Sequence, residues 1–212
     1  MEWQFNSAIA EKFKQHAQQH IPDYNRVLDL TIDLCNQKVH KGSPVLEIGC
    51  AIGETVTRLH NKGFTNIHAV DYSQAMLDKC PTELATYYCT PNFPKVDIKF
   101  DAILCNWTMH FVENKIPYLT KIYQSLKPGG MFILSEKTSN DGIALEQYHR
   151  YKSHKGVSDA EIQTKAESLV NVMFPENVAW YLQVLQRLDS KGFKQIHIAN
   201  ANWCFTTFVA IK

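Results

Sequence analysis

Between Val45 and Gly53 the chain runs Val45-Leu46-Glu47-Ile48-Gly49-Cys50-Ala51-Ile52-Gly53, an apolar stretch broken by one acid and closed by a turn of small residues. Eighteen residues after Gly53, Asp71 ends a second apolar run, Ile67-His68-Ala69-Val70. The series reads as strand, turn, helix, strand and acid, the opening unit of a parallel α/β sheet. Small residues in the turn let backbone N–H groups approach a ligand that any inward Cβ would hold away. The carboxylate on the second strand is placed to accept hydrogen bonds from two ribose hydroxyls of a nucleotide-like ligand.

The spacing separates the ligands that use such a turn. A dinucleotide fingerprint counted from Gly49 needs glycine at positions 51 and 54, which hold Ala51 and Glu54. A P-loop needs Gly-Lys-Ser/Thr, whereas Glu54-Thr55 follows Gly53. Glu47 also repels a polyphosphate, so a cationic ligand fits better.

Strand and helix patterns alternate from Val45 to Glu136, as in a parallel sheet covered on both faces. Ser7 to Gln19 reads as a first helix, and Pro22 opens a second whose apolar face carries Val27, Leu28, Leu30, Ile32 and Leu34. Between Met76 and Phe100 the three prolines 81, 91 and 94 leave room for only a turn or two of helix. After Glu136 a polar helical insert, about residues 140–175, precedes a helix over Val178 to Leu188 and a closing hairpin of Lys194 to Ile198 with Phe205 to Ile211. With 212 residues the chain suits one domain, and a formal charge of +1 advertises no nucleic acid through its net field. Six cysteines without a Cys-x-x-Cys, no signal-like N-terminus and no membrane-length apolar run lead us to expect a soluble cytoplasmic protein with reduced thiols.

Glu47-x-Gly49-x-Ala51-x-Gly53 resembles motif I of the class I S-adenosylmethionine (SAM) methyltransferases, whose usual form has glycine where Ala51 stands. Phe100-Asp101-Ala102-Ile103-Leu104-Cys105-Asn106 resembles their fourth strand, and the run from Leu126-Lys127-Pro128-Gly129-Gly130 to Glu136 their turn into the fifth. Nearly the whole chain is similar to the carboxy-SAM synthase family of tRNA wobble-uridine modification. That likeness rests on Trp3-x-Phe5, Ile21-Pro22-x-Tyr24, Asn106-x-Thr108-x-x-Phe111, Ser135-Glu136-Lys137, Gly156-x-Ser158-x-x-Glu161-Ile162, Asn171-Val172-Met173, Gly192-Phe193 and Val209-Ala210-Ile211-Lys212. The resemblance implies a Rossmann-like α/β fold, a mostly parallel seven-stranded sheet with a C-terminal antiparallel hairpin, and N-terminal helices over residues 1–40 that cover the cofactor.

It also implies roles for residues. Gly49, Cys50, Ala51 and Gly53 wrap the methionine and ribose portions of SAM beside Glu47, Asp71 holds the ribose, Tyr72 flanks adenine, and Asn106 and Tyr24 contact the cofactor. The third-strand acid of many relatives is missing, because Tyr88-Cys89-Thr90-Pro91 occupies the strand end, so adenine is left to backbone groups or Thr90. Plainer readings stand beside these: a helix cap for Asp71, turn chemistry for Asn106, packing for Tyr24. His110 stands where a general base could reach into the cleft, or merely opens a helix. The basic run with His149, Arg150 and Lys152 suits an acidic substrate or an RNA backbone, or is a solvated helix end. His16 and His20 have the i,i+4 spacing of a metal pair but no third ligand, and read as surface residues with no metal.

The alignment of the insert places Ala166 where the synthases carry an arginine for the extra carboxylate of their product. Alanine cannot form that bidentate pair. The expected function is therefore methyl transfer from SAM to a small-molecule or tRNA acceptor. Alternatives are carboxy-SAM synthesis from SAM and prephenate, and a SAM-binding protein without turnover. A homodimer through the insert is the expected assembly.

Overall fold

The computed structural model describes residues 5–139 and 141–212. Trp3 of the Trp3-x-Phe5 motif and Asn140 at the expected start of the insert lie outside the described residues. Two helices come first, α1 (Ser7–His20) and α2 (Tyr24–Lys38). Asp23 sits in the left-handed region at φ 57°, so α2 opens at Tyr24 and not at Pro22. Its buried stripe is Tyr24, Val27, Leu28, Thr31, Ile32 and Cys35, the i, i+3, i+4 pattern of one helix face, while Leu30 and Leu34 are only half-buried.

The alternating region supplies β1 (Val45–Ile48), α3 (Glu54–Asn61), β2 (Ile67–Asp71), the single turn α4 (Gln74–Leu77), β3 (Thr86–Cys89), β4 (Phe100–Asn106), α5 (Lys115–Ser125) and β5 (Leu126–Lys137). The insert forms α6 (Gly142–His154) and α7 (Asp159–Ser168), followed by α8 (Val178–Leu185), β6 (Gln195–Asn202) and β7 (Phe205–Ile211). α8 stops short of the expected Leu188. That residue lies in a separate 3-10 turn and packs into the core with Leu119 and Ile122 of α5. β6 runs four residues beyond the expected Ile198, because pairing with β7 continues to Asn202 past an irregularity between Ile198 and Asn200.

All seven strands join one sheet in the order β3-β2-β1-β4-β5-β7-β6. The first five are parallel and β7 is antiparallel to both neighbours. Alternate residues feed two apolar layers: Ile103, Cys105, Phe132, Leu134 and Phe208 on one face, Ala102, Leu104, Met131, Ile133 and Val209 on the other. α5 and α8 cover the first face with Leu119, Ile122, Tyr181 and Leu185, and α2 and α3 the second with Ile32, Cys35, Val56 and Leu59. β1 lies inside the sheet, with β2 on one side and β4, the middle strand of the seven, on the other. The strand order reverses between β1 and β4, and a crevice opens there beyond their carboxyl ends. Among the described residues no helix is long and apolar enough to cross a membrane.

Candidate active site

The crevice is a cavity of about 480 Å³, within the usual range for a small-molecule site. Its floor is the turn after β1. Gly49 adopts φ 72°, and a Cβ there would meet the Thr108 hydroxyl at 1.9 Å. Only glycine lets the turn and the loop after β4 approach this closely. Ala51 also lies in the left-handed region, at φ 47°. Gly53, at φ 78°, caps α3 and lies beneath the cavity wall rather than in it, whereas Gly49, Cys50 and Ala51 line the space.

Asp71 closes β2 and is not a helix cap. One carboxylate oxygen accepts the Ala51 N–H at 2.9 Å and the other the Ser73 N–H at 2.9 Å. Ser73 caps α4, its hydroxyl accepting from Met76. Asp71 thereby ties the first turn to the second strand. Burial raises its pKa, and the backbone donors oppose that shift.

Glu47 is 3% exposed on β1, and burial pushes its carboxyl up to about 8 despite the neighbouring Thr55 and Val56 donors. Among the described residues its Oε2 has no hydrogen-bond partner, and neither does the buried Nδ2 of Asn106. Such orphaned groups cost about 1–3 kcal/mol each when nothing satisfies them. One acceptor and one donor at the same cavity match the two ends of an amino acid. The ammonium of the methionine portion of SAM would satisfy Glu47 and its carboxylate Asn106. The residues present thus fit the cofactor expected from the resemblance.

Aromatic rings border this region. Tyr24 stacks on Trp107 with centroids 5.0 Å apart, while Phe5 stands edge-on to Tyr72 at 6.0 Å and to Phe111 at 5.3 Å. Thr90 lines the cavity with its backbone bound to Asp71, and its hydroxyl accepts the Asn92 N–H. Tyr72 also lines the cavity but stays half exposed.

The remaining wall comes from α1, α6 and α7. Tyr148 and Tyr151 donate to the carbonyls of His20 and Gln18 at 2.9 and 2.7 Å, and Gln19 donates to the Lys155 carbonyl. These bonds clasp two segments more than 120 residues apart in sequence. His149 and Lys152 face the cavity, whereas Arg150 is exposed and does not line it. The basic run is thus divided between two sides of its helix. His16 and His20 are not surface residues: they line the cavity with their rings tilted against each other, centroids 4.3 Å apart, and burial together with Lys165 pushes His16 down to about 4. Lys165 touches the His16 ring. Lys137, from the end of β5, and Lys152 flank the Tyr148 ring, their Nζ atoms 5.3 and 4.4 Å from its centroid. No ion pair engages either lysine among the described residues. Burial pushes Lys152 down to about 8 and Lys165 to about 7, with neighbouring lysines adding to the effect. Ala166 lies on the same wall.

Sequence reasoning missed Lys137, Trp107 and Glu136 as parts of the site. Glu136 is fully buried at the end of β5, and its Oε1 accepts the N–H groups of Thr108 and Met109 at 3.1 and 2.7 Å. Its Oε2 takes the His110 N–H at 2.8 Å and the His110 ring Nδ1 at 2.7 Å. The loop that carries His110 and closes over Gly49 is therefore hung from one carboxylate.

Comparison with known proteins agrees with this geometry. Residues 46–132 match the family model described as "Methyltransferase domain". The carboxy-S-adenosyl-L-methionine synthase of Shewanella woodyi is 31% identical over all of this chain and 93% of its own length, and that of Enterobacter sp. (strain 638) 30% over all of this chain and 92% of its own. Among solved structures, the plantazolicin methyltransferase BpumL in complex with a monoazolic desmethylPZN analog and SAH superposes with a TM-score of 0.72 at 14% identity, covering 97% of this chain and 94% of that one. Magnesium protoporphyrin IX methyltransferase (ChlM) from Synechocystis PCC 6803 with bound SAH gives 0.69 at 12%, covering 98% and 96%. At those identities the structures speak for the fold.

Proposed function

The chain belongs to the carboxy-S-adenosyl-L-methionine synthase family, and from that premise we propose that the second substrate of its reaction is a small carboxylate-bearing molecule. The protein is a SAM-dependent methyltransferase by domain and fold, with SAM as its cofactor. The observation that carries the proposal is the pair Lys137, half-buried, and Lys152, buried, beside Tyr148 on the cavity wall with no carboxylate partner among the described residues. Burying two like charges side by side is costly unless an anion joins them.

When bound, SAM supplies a methyl group already activated by its sulfonium, so the protein chiefly positions the two reactants. Glu47 and Asn106 take the amino-acid end and Asp71 the ribose. Tyr24, Trp107 and Tyr72 shield the site from water, and the lysines draw in the anion. His110 accepts the proton that an N–H or O–H acceptor releases.

Carboxy-SAM synthesis from SAM and prephenate is the second reading. The family's name favours it, and so do lysines on the wall where Ala166 leaves no guanidinium; a point charge replaces the forked arginine less specifically. Incubation with SAM alone and with prephenate, followed by mass analysis of the nucleoside, separates the readings. Carboxylated SAM identifies the synthase, and SAH formed only with an added acceptor identifies methyl transfer. Unchanged SAM under every condition points to a binding protein without turnover. If Lys152→Ala leaves the affinity for prephenate unchanged, the carboxylate assignment is wrong.

Our reading also takes residues 1–212 as one SAM-binding domain acting in the cytoplasm, with a tRNA-borne nucleophile as the other acceptor to try. Exposed Ile143 on α6 and Val170 just after α7 support a homodimer through the insert, which sedimentation at increasing concentration tests.

A further inference from the structure

Four donors converge on the two oxygens of Glu136: the backbone N–H groups of residues 108, 109 and 110, and the His110 ring through Nδ1. An acceptor is wanted at every one of these contacts, so the arrangement requires the proton to sit on Nδ1. The other ring nitrogen, Nε2, then carries a lone pair. No hydrogen bond engages Nε2 among the described residues, and His110 lines the cavity. The Phe174 N–H bound to the His110 carbonyl at 2.7 Å fixes the residue from its other side.

We propose that Glu136 is a positioning residue that locks His110 as the Nδ1–H tautomer and aims a basic Nε2 into the cavity. This deepens the methyl-transfer reading and rests on it. In the transfer, the acceptor's lone pair forms the new bond to the methyl carbon and the carbon–sulfur bond breaks. Its electron pair returns to sulfur, giving SAH. The acceptor's proton passes to Nε2, and the imidazolium so formed is paired at 2.7 Å with the Glu136 carboxylate until it yields the proton to solvent. The same carboxylate holds the loop whose Thr108 packs on Gly49, so the base is set relative to the floor of the cofactor turn.

Long-range nitrogen-15 NMR of the histidine rings at pH 8 tests this without an acceptor. Wild-type His110, assigned by its loss in His110→Gln, should show a protonated Nδ1 and an unprotonated Nε2, and added SAH should shift Nε2 more than Nδ1. Glu136→Gln replaces one acceptor oxygen by an NH2 donor, so a share of the population should move to the Nε2–H tautomer while the melting curve stays cooperative. A wild-type Nε2–H tautomer overturns the proposal, and so does a folded Glu136→Gln protein with an unchanged tautomer. If that variant fails to fold, the wild-type tautomer and the SAH titration decide. Failure of the mass-analysis experiment with a correct tautomer would reject methyl transfer and leave the positioning geometry intact.

Discussion

Ala51 holds φ at 47° in a turn where the methyltransferase motif usually has glycine. The left-handed region costs an L-residue with a Cβ about 1–2 kcal/mol, and glycine returns part of that through its greater freedom in the unfolded chain. Ala51→Gly should therefore stabilise the protein by about 0.5–1 kcal/mol in urea denaturation. A destabilised variant would show that the Ala51 methyl makes a packing contribution larger than the strain. Glu47 gives a second residue-scale expectation. Its carboxyl is pushed up to about 8 by burial, so near neutral pH it is mostly protonated, and an arriving ammonium favours the ionised form. SAM affinity should rise with pH up to about 8 and then level, with protons released on binding. In Glu47→Gln that rise should flatten, as calorimetry in buffers of different ionisation enthalpy can establish. Linkage sets the sign for the free protein: a carboxyl raised above its unfolded value contributes stability that is lost as pH climbs from the ordinary carboxylate range through about 8.

At the scale of elements, α6 and α7 bring Lys152 and Lys165 to one wall with pKa values lowered to about 8 and about 7. An anion favours their charged forms, so affinity for prephenate should be greatest below pH 7 and fall as pH rises through about 7 to 8. Lys152→Ala should remove the upper part of that fall; a pH-independent affinity would place the anion elsewhere. The unfolded chain binds more protons than the folded one above pH 7, so the same lysines make the free protein more stable as pH climbs toward their ordinary range. These helices also show where sequence reading stops. The strands and the β1 turn were legible because short continuous apolar runs, small residues and a following acid are local patterns. So was the insert, whose Ser158 and Glu161 form a capping box at the start of α7. The inward aim of His16 and His20 was not, because it depends on α1 packing against helices more than 120 residues away, nor was that of Lys137, which depends on α6 laying Tyr148 beside the end of β5. Glu136 was hidden for a similar reason: as one acid at the end of an apolar strand it gives no sign that a loop 26 to 28 residues earlier hangs from it.

At the scale of the whole molecule, the two sides of the cavity are built differently. The floor belongs to the sheet, where β1 and β4 are backed by apolar layers on both faces. The opposite wall is held by side-chain bonds from Tyr148, Tyr151 and Gln19 and by small clusters around Tyr24, Leu28 and Tyr148. Local opening follows the number of buried apolar contacts, so the clasp between α1 and α6 should part without the sheet melting. Amide deuterium exchange should be faster in α1, α6 and α7 than in β4 and β5, and saturating SAH should slow it across all three helices. Protection confined to the β1 turn would mean that the helices take no part in retaining the ligand. The tyrosine clasp then acts as a latch on residence time: Tyr151→Phe, which removes one hydroxyl and leaves the ring, should hasten nucleoside departure more than it alters the ligand's rate of arrival.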